Sequence, residues 1–129
     1  MKDYAQWTPL KIALNNSTRR PTYKEGDVFW LGIGENVGFE QDGKGRLLAR
    51  PVLVVKGFSR QLFWGIPLTS QNKQGRYYVG LNLIQGSTST AILSQLRAYD
   101  AKRIVNTKKL GRVSGAELVD IKNRLKTLL

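Results

Sequence analysis

The feature that most constrains the fold is a series of short runs rich in β-branched and aromatic residues, separated by segments rich in Gly, Asn and Ser. Runs of this kind predict β-strands, and their close spacing predicts a small sheet that curves into a barrel. The segment Gly57–Arg60 has the form of a hairpin turn. The predicted strands are Asp27–Ile33, Arg50–Gly57, Leu62–Leu68, Arg76–Leu81 and Ser89–Leu93.

Helices are predicted only near the two ends of the chain. Ser114 and Glu117 match a capping box, and apolar residues follow it at helical spacing: Leu118, Ile121, Leu125 and Leu128,. The segment Asp3–Asn16 predicts a shorter helix, with an alternative start at Thr8 and Pro9,. The fold class is therefore mainly β, a small barrel over residues 23–129 with a C-terminal helix. Residues 1–22 form an N-terminal extension.

Charge and composition limit the chemistry. The 129 residues include 21 Lys and Arg against 9 Asp and Glu, and this net charge of +12 attracts nucleic acid, an anionic membrane or an acidic protein without choosing among them,. The absence of Cys and His excludes disulfides, thiolate nucleophiles, imidazole catalysis and a structural zinc site, and we predict no cofactor,. No apolar run reaches the roughly 20 residues of a membrane span, so we expect a cytoplasmic protein with no membrane partner.

Six short segments resemble, in the same order, those of the MazF/PemK toxin family. They are Gly26–Trp30, Gly38–Gln41, Arg50–Val54, Pro67–Ser70, Ser94–Arg97 and Asp100 with Arg103. The resemblance runs from about Tyr23 to the end and implies an SH3-like or CcdB-like barrel that forms a homodimer and binds a cognate antitoxin. It also implies a sequence-specific, metal-independent endoribonuclease that cuts single-stranded mRNA at short sequences and leaves a cyclic phosphate. Operator DNA would be contacted only through the antitoxin.

The resemblance also implies site residues. Glu40 falls on the family's Gly-x-Glu-Gln position, Arg50 on its catalytic Arg-Pro position, and Thr69 with Ser70 on its Thr-Ser pair. The chain departs from the PemK branch before the Gln-x-Arg segment, because Ile92 and Ser94 stand where that branch has an arginine and an aspartate.

These three side-chain types suit RNA cleavage without a metal. The 2′-hydroxyl must lose a proton while charge on the phosphate is stabilised. Glu40 would accept the proton if partial burial raised its pKa, although the base could be another group. Arg50 would stabilise the crowded phosphate, and Thr69 would donate a hydrogen bond to it. Glu40 lies in the long connection from Gly34 to Ala49, and loops of this length are often functional,.

Basic and aromatic residues near these positions are predicted to bind the RNA strand. The expected RNA-binding residues are Gln41, Lys44, Arg46, Ser70, Arg76, Tyr78 and Arg97. Strand alternation would turn one of Tyr77 and Tyr78 outward, and we favour Tyr78. Trp30 and Trp64 lie within apolar runs and are predicted to be core residues,.

Three other interpretations remain open from the sequence. The chain could be a basic barrel that binds nucleic acid or protein without cutting it, or a toxin of related fold that acts on DNA gyrase. It could also be a metal-dependent nuclease with Glu35, Glu40 and Asp42 as oxygen ligands, although their spacing matches no metal-binding loop,.

Overall fold

The computed structural model describes residues 1–83 and 88–129. The strands formed by these residues are β1 (Asp27–Gly32), β2 (Ala49–Gly57), β3 (Leu62–Thr69), β4 (Tyr78–Asn82), β5 (Thr88–Ile92), β6 (Arg97–Asp100) and β7 (Gly111–Arg112). The helices are α1 (Tyr4–Asn16) and α2 (Gly115–Leu128), with short 3₁₀ turns at Leu93–Gln95 and Ala101–Arg103. The mainly β fold predicted from the sequence is confirmed.

The strands form one antiparallel sheet in the order β4-β5-β3-β2-β1-β7. Strand β3 has two partners along one edge, because its first residues, Leu62–Gly65, pair with β6 while Leu68 and Thr69 pair with β5. A register shift between Val54 and Lys56 adds a bend to β2 where it pairs with β3,. The sheet therefore curls into a partial barrel, and β2 and β3 lie at its centre.

Strand β2 is buried on both faces. Val52 packs in a cluster with Phe63, whereas its neighbour Leu53 packs in a second cluster with Ile66 and with Ile121 of α2. Successive side chains of a strand point to opposite faces, so this near-continuous apolar run supplies both clusters. Both faces of β2 are therefore covered over Val52–Val55, and its polar side chains lie nearer the two ends of the strand.

The C-terminal helix begins as its sequence predicts. The Ser114 side chain accepts a hydrogen bond from the Glu117 amide at 3.1 Å, and the Glu117 carboxylate accepts one from the Ser114 amide at 3.1 Å. These reciprocal bonds satisfy two amides that have no partner within the helix. The capping box thus fixes the start of α2, and Ile121 is fully buried against the sheet.

The N-terminal helix starts earlier than the alternative start at Thr8 and Pro9. Asp3 is its N-cap and accepts a hydrogen bond from the Gln6 amide at 2.9 Å, and Pro9 lies inside the helix. Trp7 is buried, so this helix packs against the body of the protein. Within the described residues, no helix has the length and apolar character needed to span a membrane.

Two parts of the sheet differ from the sequence-based expectation. The strand predicted to begin at Arg76 begins at Tyr78, because the segment before it forms a turn around Gly75, whose φ is +133°. Strands β6 and β7 were not predicted. They are only 4 and 2 residues long and contain too few apolar residues to show a strand pattern,.

Candidate active site

An open cavity of about 410 Å³ lies where β2 begins and β3 ends. Among the sequence-predicted residues, Arg50, Thr69, Ser70 and Lys44 line it. Residues 52 and 67 pair across the two strands, and continuing this antiparallel register places Arg50 opposite Thr69. The fold therefore brings the predicted guanidinium and hydroxyl to one cavity from adjacent strands.

Arg50 is held by carbonyl oxygens. Its Nε donates to the Asp42 backbone oxygen at 2.7 Å, and its Nη1 donates to the Leu68 backbone oxygen at 3.2 Å. The Gln41 side-chain amide, oriented with its oxygen towards Arg50, accepts from Nε at 3.2 Å and from Nη2 at 2.8 Å,. A guanidinium has five N–H groups, so these bonds leave one on Nη1 and one on Nη2 without an acceptor in the described part of the chain.

The charge of Arg50 is not neutralised by a direct carboxylate partner within residues 1–83 and 88–129. Only 6% of the residue is exposed. Desolvation by burial lowers the pKa of Arg50 from its usual value, and attraction to the Asp42 carboxylate opposes this effect. A guanidinium stays protonated in proteins. Arg50 is therefore a fixed, partly desolvated positive charge beside the cavity, which is the arrangement that stabilises an anionic phosphate.

Thr69 is 8% exposed and occupies the last position of β3. Its Oγ1 accepts a hydrogen bond from the Gln71 amide at 3.2 Å. This bond uses the oxygen as an acceptor and leaves the hydroxyl hydrogen available to donate. Thr69 therefore caps the end of the strand and also offers a donor at the cavity.

Gln41 links the loop to a neighbouring turn as well as to Arg50. Its backbone amide donates to Gln95 Oε1 at 3.1 Å, and Gln95 Nε2 donates to the Phe39 oxygen at 3.3 Å. The Gln41 side chain contacts Arg50, and its predicted role in RNA binding stays a prediction. Gln95, which the sequence analysis did not select, lies in the same Gln-x-Arg segment as Arg97 and fixes this part of the loop.

Glu40 is exposed and is not among the residues that line the cavity. Its Oε1 accepts from the Val37 amide at 2.9 Å, and its own amide donates to the Val37 oxygen at 3.0 Å. The partial burial expected of a carboxylate base is therefore absent. The physical reason is that Glu40 closes a tight turn at the outer edge of the loop, where water surrounds it.

The metal-site interpretation gains no support from the loop carboxylates. Glu35, Glu40 and Asp42 do not gather into a possible metal site, and in residues 1–83 and 88–129 no three Asp or Glu side chains do so. The Asp42 carboxylate instead accepts from the Asn36 amide at 2.6 Å and pairs with Lys2 at 3.2 Å.

Comparison with known proteins decides the family. A family model described as "PemK-like, MazF-like toxin of type II toxin-antitoxin system" matches residues 24–129. The chain belongs to this toxin family. No curated protein matches the sequence significantly.

Solved structures agree with the toxin fold. MazF from Deinococcus radiodurans aligns with a TM-score of 0.65 at 23% identity, covering 83% of this chain and 96% of that one. A MazE-MazF complex from the same organism gives a TM-score of 0.60 at 21% identity, with 83% and 94% covered. An endoribonuclease in complex with its cognate antitoxin from a mycobacterial species gives 0.59 at 17% identity, with 82% and 93% covered. The toxin therefore has a MazF-like fold.

The remaining predicted RNA-binding residues of the toxin lie outside the cavity lining. Arg46 is exposed in the loop, and Arg97 is exposed in β6 with its guanidinium 4.9 Å from the centre of the buried Tyr99 ring. Arg76 is exposed and lies 5.8 Å from the Tyr77 ring centre. These three cations are exposed, and none of them lines the cavity.

Exposure reverses the preference between the two adjacent tyrosines. Tyr77 is exposed, whereas Tyr78 is half-buried and lies 5.7 Å from Lys73 Nζ. Arg76 and Tyr77 belong to the turn before β4, which begins only at Tyr78, so strand alternation does not apply to this pair. Tyr77 is therefore the better placed of the two to stack with a base.

The prediction that Trp30 and Trp64 are core residues is wrong. Trp30 is 37% exposed and Trp64 is 44% exposed, because each is the outward residue between two inward neighbours of its strand. Trp30 lines the cavity with Leu110. The sequence of β1 carried no signal for this position, because Trp30 lies within the unbroken apolar run Val28–Leu31.

Proposed function

We propose that this toxin is an endoribonuclease that cuts single-stranded RNA without a metal ion. The observation that carries the proposal is the pair formed by Arg50 and Thr69, which line one cavity from the adjacent ends of β2 and β3. Arg50 brings a buried charge with unused N–H groups, and Thr69 brings an unused hydroxyl hydrogen. Both are donors for the non-bridging oxygens of a phosphodiester.

The proposed reaction is an internal transesterification. The 2′-hydroxyl loses its proton, its oxygen bonds to phosphorus, and the bond from phosphorus to the 5′-oxygen breaks as that oxygen takes up a proton from solvent. The products are a 2′,3′-cyclic phosphate and a 5′-hydroxyl. Arg50 stabilises the additional negative charge on phosphorus, and Thr69 donates to one of its oxygens. DNA lacks the 2′-hydroxyl and would not be cut.

Glu40 is our proposed acceptor for the 2′-hydroxyl proton, acting from the loop rather than from inside the cavity. Its neighbour Gln41 contacts Arg50 directly, so the carboxylate is carried on the same short segment that holds the guanidinium. Because Glu40 is exposed, water is a ready substitute for it as an acceptor. Its contribution should therefore be smaller than that of Arg50 or Thr69.

The partners follow from the same surface. The exposed cations Lys44, Arg46, Arg76 and Arg97, with Ser70 of the cavity lining and the exposed Tyr77, would contact a single RNA strand as it crosses the cavity,. The net charge of +12 also suits an acidic antitoxin that covers the site,. We further propose a homodimer, cytoplasmic action on mRNA, and contact with operator DNA only through the antitoxin.

Incubation of the purified protein with long single-stranded RNA in excess EDTA tests this function. Fragments that end in 2′,3′-cyclic phosphate, together with intact single-stranded DNA of the same sequence, are the expected result. RNA that shifts on a gel but stays intact would overturn the proposal in favour of a binding barrel. Cleavage that disappears in EDTA and returns with a divalent cation would overturn the metal-free mechanism.

A further inference from the structure

The N-terminal segment, residues 1–16, contacts the loop of residues 34–49 at several points. Lys2 Nζ donates to the backbone oxygens of Asn36 and Gly38, the latter at 3.0 Å. The Tyr4 hydroxyl donates to the Asn36 oxygen at 2.8 Å, and Gln6 Nε2 donates to the Arg46 oxygen at 2.9 Å. These contacts join positions more than 30 residues apart in the chain.

An apolar contact adds to these polar ones. Trp7 is 6% exposed and packs directly on Gly34, the first residue of the loop. A Cβ atom on Gly34 would lie 1.9 Å from the Trp7 ring, and the φ of Gly34 is +75°. Only glycine permits both this approach and this backbone conformation without strain. The indole therefore rests against the point where the loop leaves β1.

The contacts lead to the guanidinium of the candidate site in two steps. Lys2 Nζ pairs with the Asp42 carboxylate at 3.2 Å, and the Asp42 backbone oxygen accepts from Arg50 Nε at 2.7 Å. Asp42 and its neighbour Gln41 supply the loop acceptors of Arg50. A displacement of about 1 Å at a catalytic group can lower a rate by about a hundredfold. Loop position should therefore matter to the reaction.

We propose that residues 1–16 clamp the 34–49 loop and so position Arg50, with Lys2 as the principal positioning residue. The inference rests on the proposed function. The matched family model begins at residue 24, so the clamp is an addition of this chain to the family domain. Gln95 holds the same loop from the other side, through the Gln41 amide and the Phe39 oxygen.

The test compares the full-length protein with Lys2→Ala, Lys2→Arg and a matched control, Lys11→Ala, which alters an exposed lysine of the same N-terminal segment. Trypsin cutting after Lys44 and Arg46, both exposed in the loop, reports how often the loop opens, and fragment masses identify these sites,. RNA cleavage in EDTA gives kcat and KM separately. Asp42→Asn, which keeps the backbone oxygen that Arg50 uses, is measured alone and combined with Lys2→Ala.

We expect Lys2→Ala to speed trypsin cutting in the loop about tenfold and to lower kcat about tenfold with little change in KM. Lys2→Arg should restore both, Lys11→Ala should change neither, and adding Asp42→Asn to Lys2→Ala should cause little further loss. Unchanged trypsin cutting, or faster cutting with unchanged kcat, would overturn the positioning role. If the wild-type protein does not cut RNA, the proposed function fails instead, and the trypsin rates alone decide whether residues 1–16 hold the loop.

Discussion

Arg50 and Thr69 extend from the central strands of the sheet, whereas Glu40 and Gln41 lie in the loop that joins β1 to β2. Both strand residues are buried, and Arg50 bonds to the Leu68 oxygen of β3 as well as to Asp42 and Gln41 of the loop. The loop residues depend on side-chain contacts from Gln95 and from the N-terminal segment. The comparison teaches that the positions of Arg50 and Thr69 are set by the strands that carry them. The positions of Glu40 and Gln41 depend on separate side-chain contacts, each of which can be removed by one substitution.

Substitution at Arg50 should cause the largest loss. Arg50→Lys keeps the positive charge but cannot bond to Asp42, Leu68 and Gln41 while still presenting donors to phosphate,. We expect kcat to fall about a thousandfold, at the upper end for loss of a preorganised donor. Single-turnover RNA cleavage measures the effect. Arg60→Lys, the same change at an exposed position in the β2–β3 turn, is the control and should leave kcat unchanged.

Thr69→Val should cause the second-largest loss in kcat. Valine keeps the shape of threonine but removes the hydroxyl donor, and we expect a loss in kcat of about a hundredfold, with Thr69→Ser retaining most activity. Thr90→Val provides a matched control, because Thr90 is also buried and pairs with Thr69 across β3 and β5 without lining the cavity. Near-normal cleavage by Thr69→Val in the same assay would remove Thr69 from the site.

Glu40→Gln tests the part of the site that lies in the 34–49 loop, and it should lower the rate of RNA cleavage less than the two changes above. The exposed carboxylate is replaceable by water as a proton acceptor, so we expect cleavage to fall about tenfold, below the range of about 10² to 10⁴ for a well-placed general base. Glu35→Gln, a change in the same loop, is the control. A loss as large as that of Arg50→Lys would contradict the ranking, because it would place a loop side chain at the centre of the chemistry.

Glu25→Gln should affect stability alone. Glu25 precedes β1 and contacts Gly57, the residue at the end of β2 away from Arg50. The Glu25 carboxylate accepts hydrogen bonds from Lys122 at 2.9 Å and from the Gly57 amide at 3.0 Å. Both bonds lower the pKa of Glu25, and the bond from Lys122 has the larger effect. The stabilising effect of Glu25 is then present above the unfolded-state pKa of about 4.3 and is lost as pH falls through the lower folded-state value. Both side chains are partly exposed, so we expect less than about 1 kcal/mol,.

Urea unfolding of wild type and Glu25→Gln checks this prediction. The difference in the free energy of unfolding should be measurable at neutral pH and should shrink in acid, while RNA cleavage at neutral pH stays equal. A fall in cleavage without a fall in stability would show that the two ends of β2 are coupled.

Sequence patterns predicted the parts of the fold that depend on local chemistry. The capping box at Ser114 and the apolar run of β2 each determine one element through short-range interactions,. Strand β7 pairs through only two residues, and its position depends on partners distant in sequence. Trp30 was misassigned because an apolar run buried on both faces and one with a single outward residue look alike in sequence,.

The sequence identified two residues of the candidate site but not the contacts that hold them. The resemblance selected Arg50 and Thr69, and both line the cavity. It did not reveal the backbone oxygens of Asp42 and Leu68 that hold Arg50, because any residue type supplies a carbonyl. Nor did it show that Glu40 is exposed, since burial of a loop side chain depends on how the whole loop packs.

The most direct test of the central claim, that Arg50 and Thr69 act on the same phosphate, is a double-mutant cycle on single-turnover RNA cleavage in EDTA. Groups that stabilise one transition state as a unit are strongly non-additive. The account predicts that Arg50→Lys combined with Thr69→Val loses little more activity than Arg50→Lys alone. Losses that multiply, with the double variant slower by the product of the two single effects, would contradict it.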